Sequence, residues 1–305
     1  MKFLSAAIAR LITSLVAVIM LIGAPAAVSD GAPLAQEEDI RLRVNVVSDI
    51  HMETNNSFRK DIYVRALRNM DKYIPEADVL MMCGDNTMNG FITEYPILNG
   101  ITASLLPDTL CLPVCGNHDV GNGEGDFVKL KNRFIRQYNA FHPSDTIERM
   151  YYTRVVNGYH FIILADDAEF NDSKNEPDVL LEWFSAQLDE AEKSGNPIFV
   201  GCHYPLNYLD NAFRDLIAEH HNVYFFSGHL HRHSVNAKRV VTGRDDLWDI
   251  NLPRVTEYNE GNNTTYSNTG LGVNICVTDT DVTVNEYNFY SAELEDSFTA
   301  PIVKS

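Results

Sequence analysis

Five short segments of the chain carry side chains that could bind metal ions. In chain order they are Asp49-Ile50-His51, Gly84-Asp85, Gly116-Asn117-His118-Asp119, His203 and Gly228-His229-Leu230-His231. Their side chains offer carboxylate oxygens, an amide oxygen and imidazole nitrogens, but no thiolate. This donor set suits borderline or hard divalent metals better than structural zinc or an iron–sulfur cluster.

Each of these segments follows a run of apolar, strand-forming residues. The runs are Val44–Val47, Val79–Met82, Leu110–Val114, Ile198–Val200 and Val223–Phe226. Polar residues that follow the carboxyl ends of strands collect at one edge of an open α/β sheet. We therefore expect the five segments to form a single site at such an edge.

The number of candidate ligands indicates two metal ions. The candidates are Asp49, His51, Asp85, Asn117, His203, His229 and His231. Asp49 and His51 are two residues apart, so on a strand they would point the same way and reach one metal, and His229 and His231 have the same spacing. Asp85 could bridge two metals with its two oxygens. Seven ligands with one shared carboxylate leave positions open for water and substrate, as in a two-metal hydrolytic site with ions about 3.5–4 Å apart.

Taken together and in order, the five segments resemble the motifs of the calcineurin-like metallophosphoesterases. The resemblance covers residues 40–235 and implies a four-layer α/β/β/α sandwich of two packed mixed β-sheets with flanking helices. For the first metal, it implies the ligands Asp49, His51, Asp85 and His231. For the second metal, it implies the ligands Asp85, Asn117, His203 and His229.

The same resemblance implies two catalytic residues. His118 would contact the phosphate or the leaving group, and Asp119 would orient His118 as a carboxylate fixes an imidazole tautomer. Two positions depart from relatives. Met88 stands where purple acid phosphatases have a metal-binding tyrosine, and Tyr204 stands where many members of the family have a second histidine.

The expected activity is hydrolysis of phosphate esters. Two divalent ions, Mn, Fe or Zn, would lower the pKa of a bridging water, and the resulting hydroxide would attack phosphorus in line. Phosphomonoesters and phosphodiesters are both open as substrates, because both would use the same ligands. The alternative is a catalytically inactive metal-binding or partner-binding relative of the same fold.

The charge of the chain limits its partners. The 305 residues carry a net charge of −18, which argues against nucleic acid bound to the surface and against anionic membranes. A small phosphoester or a nucleotide remains a possible substrate, because metal cations dominate the local field inside a cleft.

The N-terminal residues 1–29 have the pattern of a secretory signal peptide. Lys2 and Arg10 precede the apolar run Leu11–Ile22, and Ala24-Pro25-Ala26 is a small-x-small cleavage pattern. We expect a secreted or periplasmic protein. The alternative is an uncleaved membrane anchor, for which the run is short.

Helices alternate with strands up to residue 235 and strands predominate afterwards. Hydrophobic periodicity predicts helices over 58–74, 95–106, 127–141, 179–193 and 212–221. Asn157-Gly158 predicts the turn of a β-hairpin. We expect a βαβ half over 40–235 and a β-rich part of the same domain over 236–305, with strands at 235–241, 251–258, 272–278 and 281–288.

Overall fold

The computed structural model describes residues 39–74, 77–165, 177–256 and 269–304. The predicted signal peptide lies outside these residues. Within the described part of the chain, no helix has both the length and the apolar character needed to cross a membrane.

The first β-sheet is assembled from both ends of the chain. Its strands are β1 (Leu42–Val47), β2 (Val79–Met82), β3 (Leu110–Pro113), β10 (Leu271–Val277), β11 (Asp281–Asn288) and β12 (Glu293–Pro301). They lie in the order β12-β11-β10-β1-β2-β3. β1 is parallel to β2 on one side and antiparallel to β10 on the other, so the sheet is mixed.

The second β-sheet comes from the middle of the chain. Its strands are β4 (Tyr152–Val156), β5 (Tyr159–Ile163), β6 (Ile198–Gly201), β7 (Val223–Arg232), β8 (Asn236–Arg239) and β9 (Leu247–Pro253). They lie in the order β4-β5-β6-β7-β9-β8. The central strands β5, β6, β7 and β9 are parallel, so their carboxyl ends reach the same edge.

Within the described ranges, five helices cover the outer faces of the two sheets. They are α1 (Ser57–Tyr73), α2 (Glu94–Leu105), α3 (Phe127–Phe141), α4 (Pro177–Glu192) and α5 (Asn211–Glu219). Asn56 caps α1 by accepting a hydrogen bond from the Arg59 backbone N–H, and Asp126 caps α3 in the same way from Lys129. These side-chain caps fix where the two helices begin.

The alternation of side chains along the strands creates the layers. In β1, Val44 and Val46 belong to the core between the sheets, whereas Val47 packs in the cluster that includes α1. The two sheets lie in direct contact, because a Cβ placed on Gly201 of β6 would be 2.8 Å from Met81 Sδ of β2. The expected sandwich of two mixed sheets with flanking helices is confirmed.

The strands after residue 235 do not form a sheet of their own. The β-rich part of the chain divides between the sheets, since β8 and β9 join the second sheet and β10–β12 extend the first. β9 also begins four residues before the expected start, and β12 was not predicted at all. β12 is an edge strand with the acidic, mostly exposed sequence Glu293–Phe298, which lacks the apolar alternation that marks a half-buried strand.

Candidate metal centre

The four residues predicted for the first metal form a compact group. Each of Asp49, His51, Asp85 and His231 offers one ligand atom, and these atoms lie within 4.8 Å of one another. His51 Nε2 is 3.2 Å from His231 Nε2, which in turn is 3.1 Å from Asp49 Oδ1. Asp49 Oδ1 is buried and has no hydrogen-bond partner among the described residues. Converging imidazole nitrogens around a buried carboxylate oxygen fit a bound cation.

Asp85 lies between this group and the remaining candidates. Its Oδ2 is 3.6 Å from His51 Nε2 and 3.3 Å from His203 Nε2. Its Oδ1 accepts a hydrogen bond from the backbone N–H of His118 at 2.9 Å. One oxygen therefore faces both groups of candidate ligands.

His203 gathers the residues predicted for the second metal. Its Nε2 lies 3.0 Å from Asn117 Oδ1, and its Nδ1 lies 2.9 Å from the Cys83 carbonyl oxygen. Because a carbonyl only accepts, Nδ1 carries the hydrogen and Nε2 of the neutral ring is the free ligand atom. The centroid of the His229 ring is 5.1 Å from that of His203. The structure thus brings all seven predicted ligands to one edge.

The backbone at these ligands is not extended. Five of them have positive φ angles: Asp49 (56°), His51 (47°), Asp85 (49°), His229 (70°) and His231 (45°). Asp49 and His51 follow the end of β1 and converge through this left-handed backbone, rather than by sharing a strand face as expected. His229 and His231 do not share one group: His231 faces Asp49, and His229 lies beside His203.

Glycines allow the ligand segments to approach one another. A Cβ on Gly84 would lie 2.5 Å from His203 Cγ, and a Cβ on Gly116 would lie 3.0 Å from the Cα of Asp85. Gly228 packs equally closely on Ser48. Real Cβ atoms do not reach such distances without displacing a neighbour, so the spacing of the site depends on these residues.

The two buried imidazoles next to Asp85 have opposite pKa shifts. Burial lowers the pKa of His51 to about 4, despite the neighbouring carboxylates of Asp49 and Asp85. Burial also lowers the pKa of His203, but the charge and hydrogen bond of Asp85, together with Asp49, outweigh it and raise the pKa to about 9. In the metal-free chain at neutral pH, His51 is therefore neutral and His203 is protonated.

His118 lies beside the first group, but Asp119 does not orient it. The centroid of the His118 ring is 4.7 Å from that of His51, and His118 Nδ1 lies 2.7 Å from the Met88 carbonyl oxygen. The Asp119 carboxylate instead accepts hydrogen bonds from Asn86, Thr87 and Gly116. The Met88 carbonyl oxygen, rather than the Asp119 carboxylate, therefore orients the His118 ring.

Asp119 is buried and links two ligand segments through hydrogen bonds. It accepts five hydrogen bonds of 2.8–3.2 Å from the residues after Asp85 and before Asn117. Burial and the nearby charge of Asp85 raise its pKa to about 6, although those hydrogen bonds lower it.

The contacts of two residues at the site were not predicted from the sequence. Met88 acts through its carbonyl oxygen, which no side-chain pattern reveals. Arg59, on α1, donates from one guanidinium nitrogen to the His51 carbonyl oxygen and to Met88 Sδ, both at 3.2 Å. This contact could not be predicted from the position of Arg59 in an amphipathic helix.

Comparison with known proteins identifies the family. The chain matches the family described as Calcineurin-like phosphoesterase over residues 42–233. Because this match covers more than half of the chain, the protein belongs to the calcineurin-like phosphoesterases. No curated protein matches the chain in sequence.

Solved structures agree with this fold at low sequence identity. A dimetal phosphatase from Danio rerio is 12% identical with a TM-score of 0.58, over 87% of this chain and 100% of that one. A purple acid phosphatase from yellow lupin seeds is 11% identical with a TM-score of 0.57, over 88% of this chain and 55% of that one. An anchor of the inner membrane complex of Plasmodium is 14% identical with a TM-score of 0.57, over 86% and 89%. The family and the clustered ligands support metal-dependent phosphoester hydrolysis.

Proposed function

We propose that the chain is an exported hydrolase that cleaves phosphate esters with two divalent metal ions. The observation that carries this proposal is the position of Asp85 Oδ2, 3.6 Å from His51 Nε2 and 3.3 Å from His203 Nε2. A single anionic oxygen between two sets of oxygen and nitrogen donors is where two cations would share a ligand. When bound, such ions supply positive charge that polarises the phosphate and lowers the pKa of bound water.

The donor atoms divide into two sets around that oxygen. The first ion would be held by Asp49, His51, Asp85 and His231, and the second by Asp85, Asn117, His203 and His229. All are oxygen or nitrogen donors, which suit Mn, Fe or Zn. His203 is prepared for this role by its Nδ1–H bond to Cys83, which fixes the tautomer with Nε2 free.

His118 is placed to act on the substrate. Because its Nδ1–H donates to the Met88 carbonyl oxygen, Nε2 is left for the substrate. When Nε2 carries a proton, it can donate to a phosphate oxygen or to the departing oxygen. The backbone N–H of His118 is held by Asp85, which fixes the residue relative to the ligands. His118 therefore positions or protonates the substrate without binding metal.

A rate comparison with metals added back tests the activity. Purified protein is stripped with chelator and reloaded with Mn, Fe or Zn under matched conditions. Hydrolysis is then measured on an aryl phosphomonoester and on the corresponding bis-aryl phosphodiester, and the faster substrate defines the ester class. We expect turnover that requires added metal. Metal binding without turnover of either ester would support the inactive binding relative instead.

Export rests on the N-terminal pattern and needs its own test. Lys2, the apolar run Leu11–Ile22 and Ala24-Pro25-Ala26 support cleavage by a signal peptidase. N-terminal sequencing of protein recovered from a host with a secretion pathway should give a start between residues 27 and 30. Recovery of intact Met1 in the membrane fraction would support an anchor.

A further inference from the structure

Two tyrosines lie against one side of the metal centre. The ring centroid of Tyr204 is 4.6 Å from that of His229, and the ring centroid of Tyr208 is 5.9 Å from it. Tyr204 is buried, whereas Tyr208 is 53% exposed. Tyr208 thus has one part of its ring beside a candidate ligand and the rest open to solvent.

The backbone holds Tyr208 in this position. Tyr208 ends a short 3₁₀ turn, Leu206–Tyr208, and its N–H donates to the Pro205 carbonyl oxygen at 2.8 Å. Leu206 and Leu209 on either side are buried, so the turn is anchored in the core while Tyr208 points outward. An exposed aromatic side chain on an anchored turn is available to a ligand at little conformational cost.

Two other exposed apolar residues, Phe91 and Ile92, follow the ligand segment of Asp85 in the chain. Among the described residues, eight large apolar side chains are exposed, and three of these are Phe91, Ile92 and Tyr208. Phe91 and Ile92 follow Gly90, which packs against the backbone of Asp119. An exposed apolar side chain beside a polar centre is characteristic of a ligand-binding site, and Tyr208 has such a position beside His229.

We propose that Tyr208 forms a subsite for a neutral, planar aromatic group esterified to the substrate phosphate. This inference rests on the proposed function. A group joined through one oxygen to phosphate at the metal centre would emerge within several ångströms of His229. The ring centroids of Tyr208 and His229 are 5.9 Å apart, so a ring attached to a phosphate beside His229 would lie close to Tyr208. Aromatic rings pair at centroid distances of about 4.5–7 Å.

The charge around Tyr208 sets the character of the aromatic group. The segment from His203 to Phe213 contains no Lys or Arg, and it contains the acidic Asp210. Within this segment, a second phosphate or a carboxylate on the leaving group would meet no basic side chain. The subsite therefore favours uncharged rings, such as a benzyl group, over an anionic extension.

Three esters with similar leaving oxygens test this subsite. Benzyl, cyclohexylmethyl and ethyl phosphate all release a primary alcohol, but only the first carries a planar ring. We measure kcat/KM for wild type, Tyr208→Phe, Tyr208→Leu and Tyr208→Ala, with Val155→Ala as a control because Val155 is similarly exposed on β4. If the wild type prefers diesters, the methyl diesters of the same alcohols are used.

We expect Tyr208→Ala and Tyr208→Leu to lower kcat/KM for the benzyl ester about tenfold, the scale of one stacked ring. The cyclohexylmethyl and ethyl esters should change less than about twofold by the same scale, because no stacked ring is lost. Tyr208→Phe should retain the benzyl preference, and Val155→Ala should behave as wild type. Equal losses on all three esters, or no loss on the benzyl ester, would overturn the subsite.

Binding of unreactive analogues separates this inference from the proposed activity. Benzylphosphonate and ethylphosphonate are titrated into metal-loaded protein whose metal content has been checked by elemental analysis. The wild type should bind benzylphosphonate more tightly, and Tyr208→Ala should lose only that preference. If this holds without any turnover, the subsite stands and the proposed hydrolysis fails. If turnover occurs but no ring preference exists, the subsite fails alone.

Discussion

The backbone N–H of His118 donates a hydrogen bond to Asp85 Oδ1 at 2.9 Å. Asp49 is held in the same manner, because its Oδ2 accepts from the backbone N–H of His229 at 3.1 Å. In both carboxylates, one oxygen is fixed by the main chain of another ligand segment and the other oxygen faces imidazoles. The segments that carry the ligands are therefore locked together before any cation binds, which reduces the reorganisation that binding requires.

Asp85→Asn tests whether one oxygen serves two metals. The amide can keep an oxygen for the His118 N–H, but it replaces the charged Oδ2 with a group that does not bind cations. We expect wild-type protein to hold two metals per chain and Asp85→Asn to hold at most one, measured by elemental analysis after gel filtration. Asp215→Asn makes the same change at an exposed position on α5 and should keep both metals.

Two outcomes would contradict this arrangement. A wild-type protein that binds at most one metal would reject the binuclear centre. Retention of two metals by Asp85→Asn would reject the shared oxygen and leave the other ligands to explain both ions.

His118→Ala and His229→Ala should separate chemistry from metal binding. His118 binds the Met88 carbonyl oxygen through its ring and is not one of the proposed ligands. Its loss should therefore leave metal content unchanged and lower kcat on the order of 10²–10³-fold. The defect should shrink as the leaving group improves, since a better leaving group needs less help. His229→Ala removes a ligand and should lose metal together with activity.

Two results would contradict the role assigned to His118. If elemental analysis shows that His118→Ala loses metal, the residue is a ligand. If its turnover of an ester with a poor leaving group equals that of wild type, it has no part in the chemistry.

Asp119→Asn tests whether Asp119 links the ligand segments or orients the His118 ring. The amide offers one acceptor oxygen, so donors now satisfied by the other carboxylate oxygen lose their partner. Each buried donor left unpaired costs about 1–3 kcal/mol, so we expect a lower Tm and weaker metal binding. Lower kcat with unchanged Tm and metal affinity would instead restore the role expected from the sequence.

The pKa of His203 predicts how metal affinity depends on pH. Because its pKa is raised to about 9, the metal-free chain carries a proton on His203 at pH 7 that a metal must displace. Affinity should therefore increase as pH rises toward 9, and calorimetry in buffers of different ionisation enthalpy should detect the released proton. His51, with its pKa lowered to about 4, should release none at pH 7.

The same shift fixes the sign of a stability effect in the stripped protein. A raised folded-state pKa means that the stabilisation from protonated His203 is complete below its ordinary pKa of 6.5 and is lost as pH rises through about 9. Thermal unfolding of the metal-free chain should show this loss between these pH values, relative to His203→Gln. Affinity and stability that are both independent of pH from 6.5 to 9 would contradict the assignment.

Much of the fold was predictable because its elements carry strong local patterns. α3 spans Phe127–Phe141 as its apolar period predicted, and the Asn157-Gly158 turn joins β4 to β5 with both residues at positive φ. The pairing of β10 with β1 was not predictable, because nothing local to either strand specifies a partner about 230 residues away.

The ligands could be predicted by type and order, but their contacts could not. Side-chain identity marks Asp85 and His203 as ligands, whereas the interaction of His118 with Met88 uses a main-chain oxygen. The prediction that Asp119 orients His118 was wrong for the same reason. Three of the five hydrogen bonds that its carboxylate accepts come from backbone N–H groups. Sequence patterns show which side chains are present, whereas many of the hydrogen bonds that position this site involve main-chain N–H and carbonyl groups.

Gly84→Ala should weaken metal binding by displacing His203. Gly84 has a φ of 85°, and an added Cβ would lie 2.5 Å from His203 Cγ. Gly123→Ala is the matched control, because Gly123 has a φ of 79° but no atom within 4 Å of the added Cβ. Both variants meet the same backbone penalty of about 1 kcal/mol, so the difference between them isolates the steric contact. We expect Gly123→Ala to keep both metals and most activity, and Gly84→Ala to lose the metal that His203 holds. Equal metal content in the two variants would show that the close approach of Gly84 does not set the position of His203.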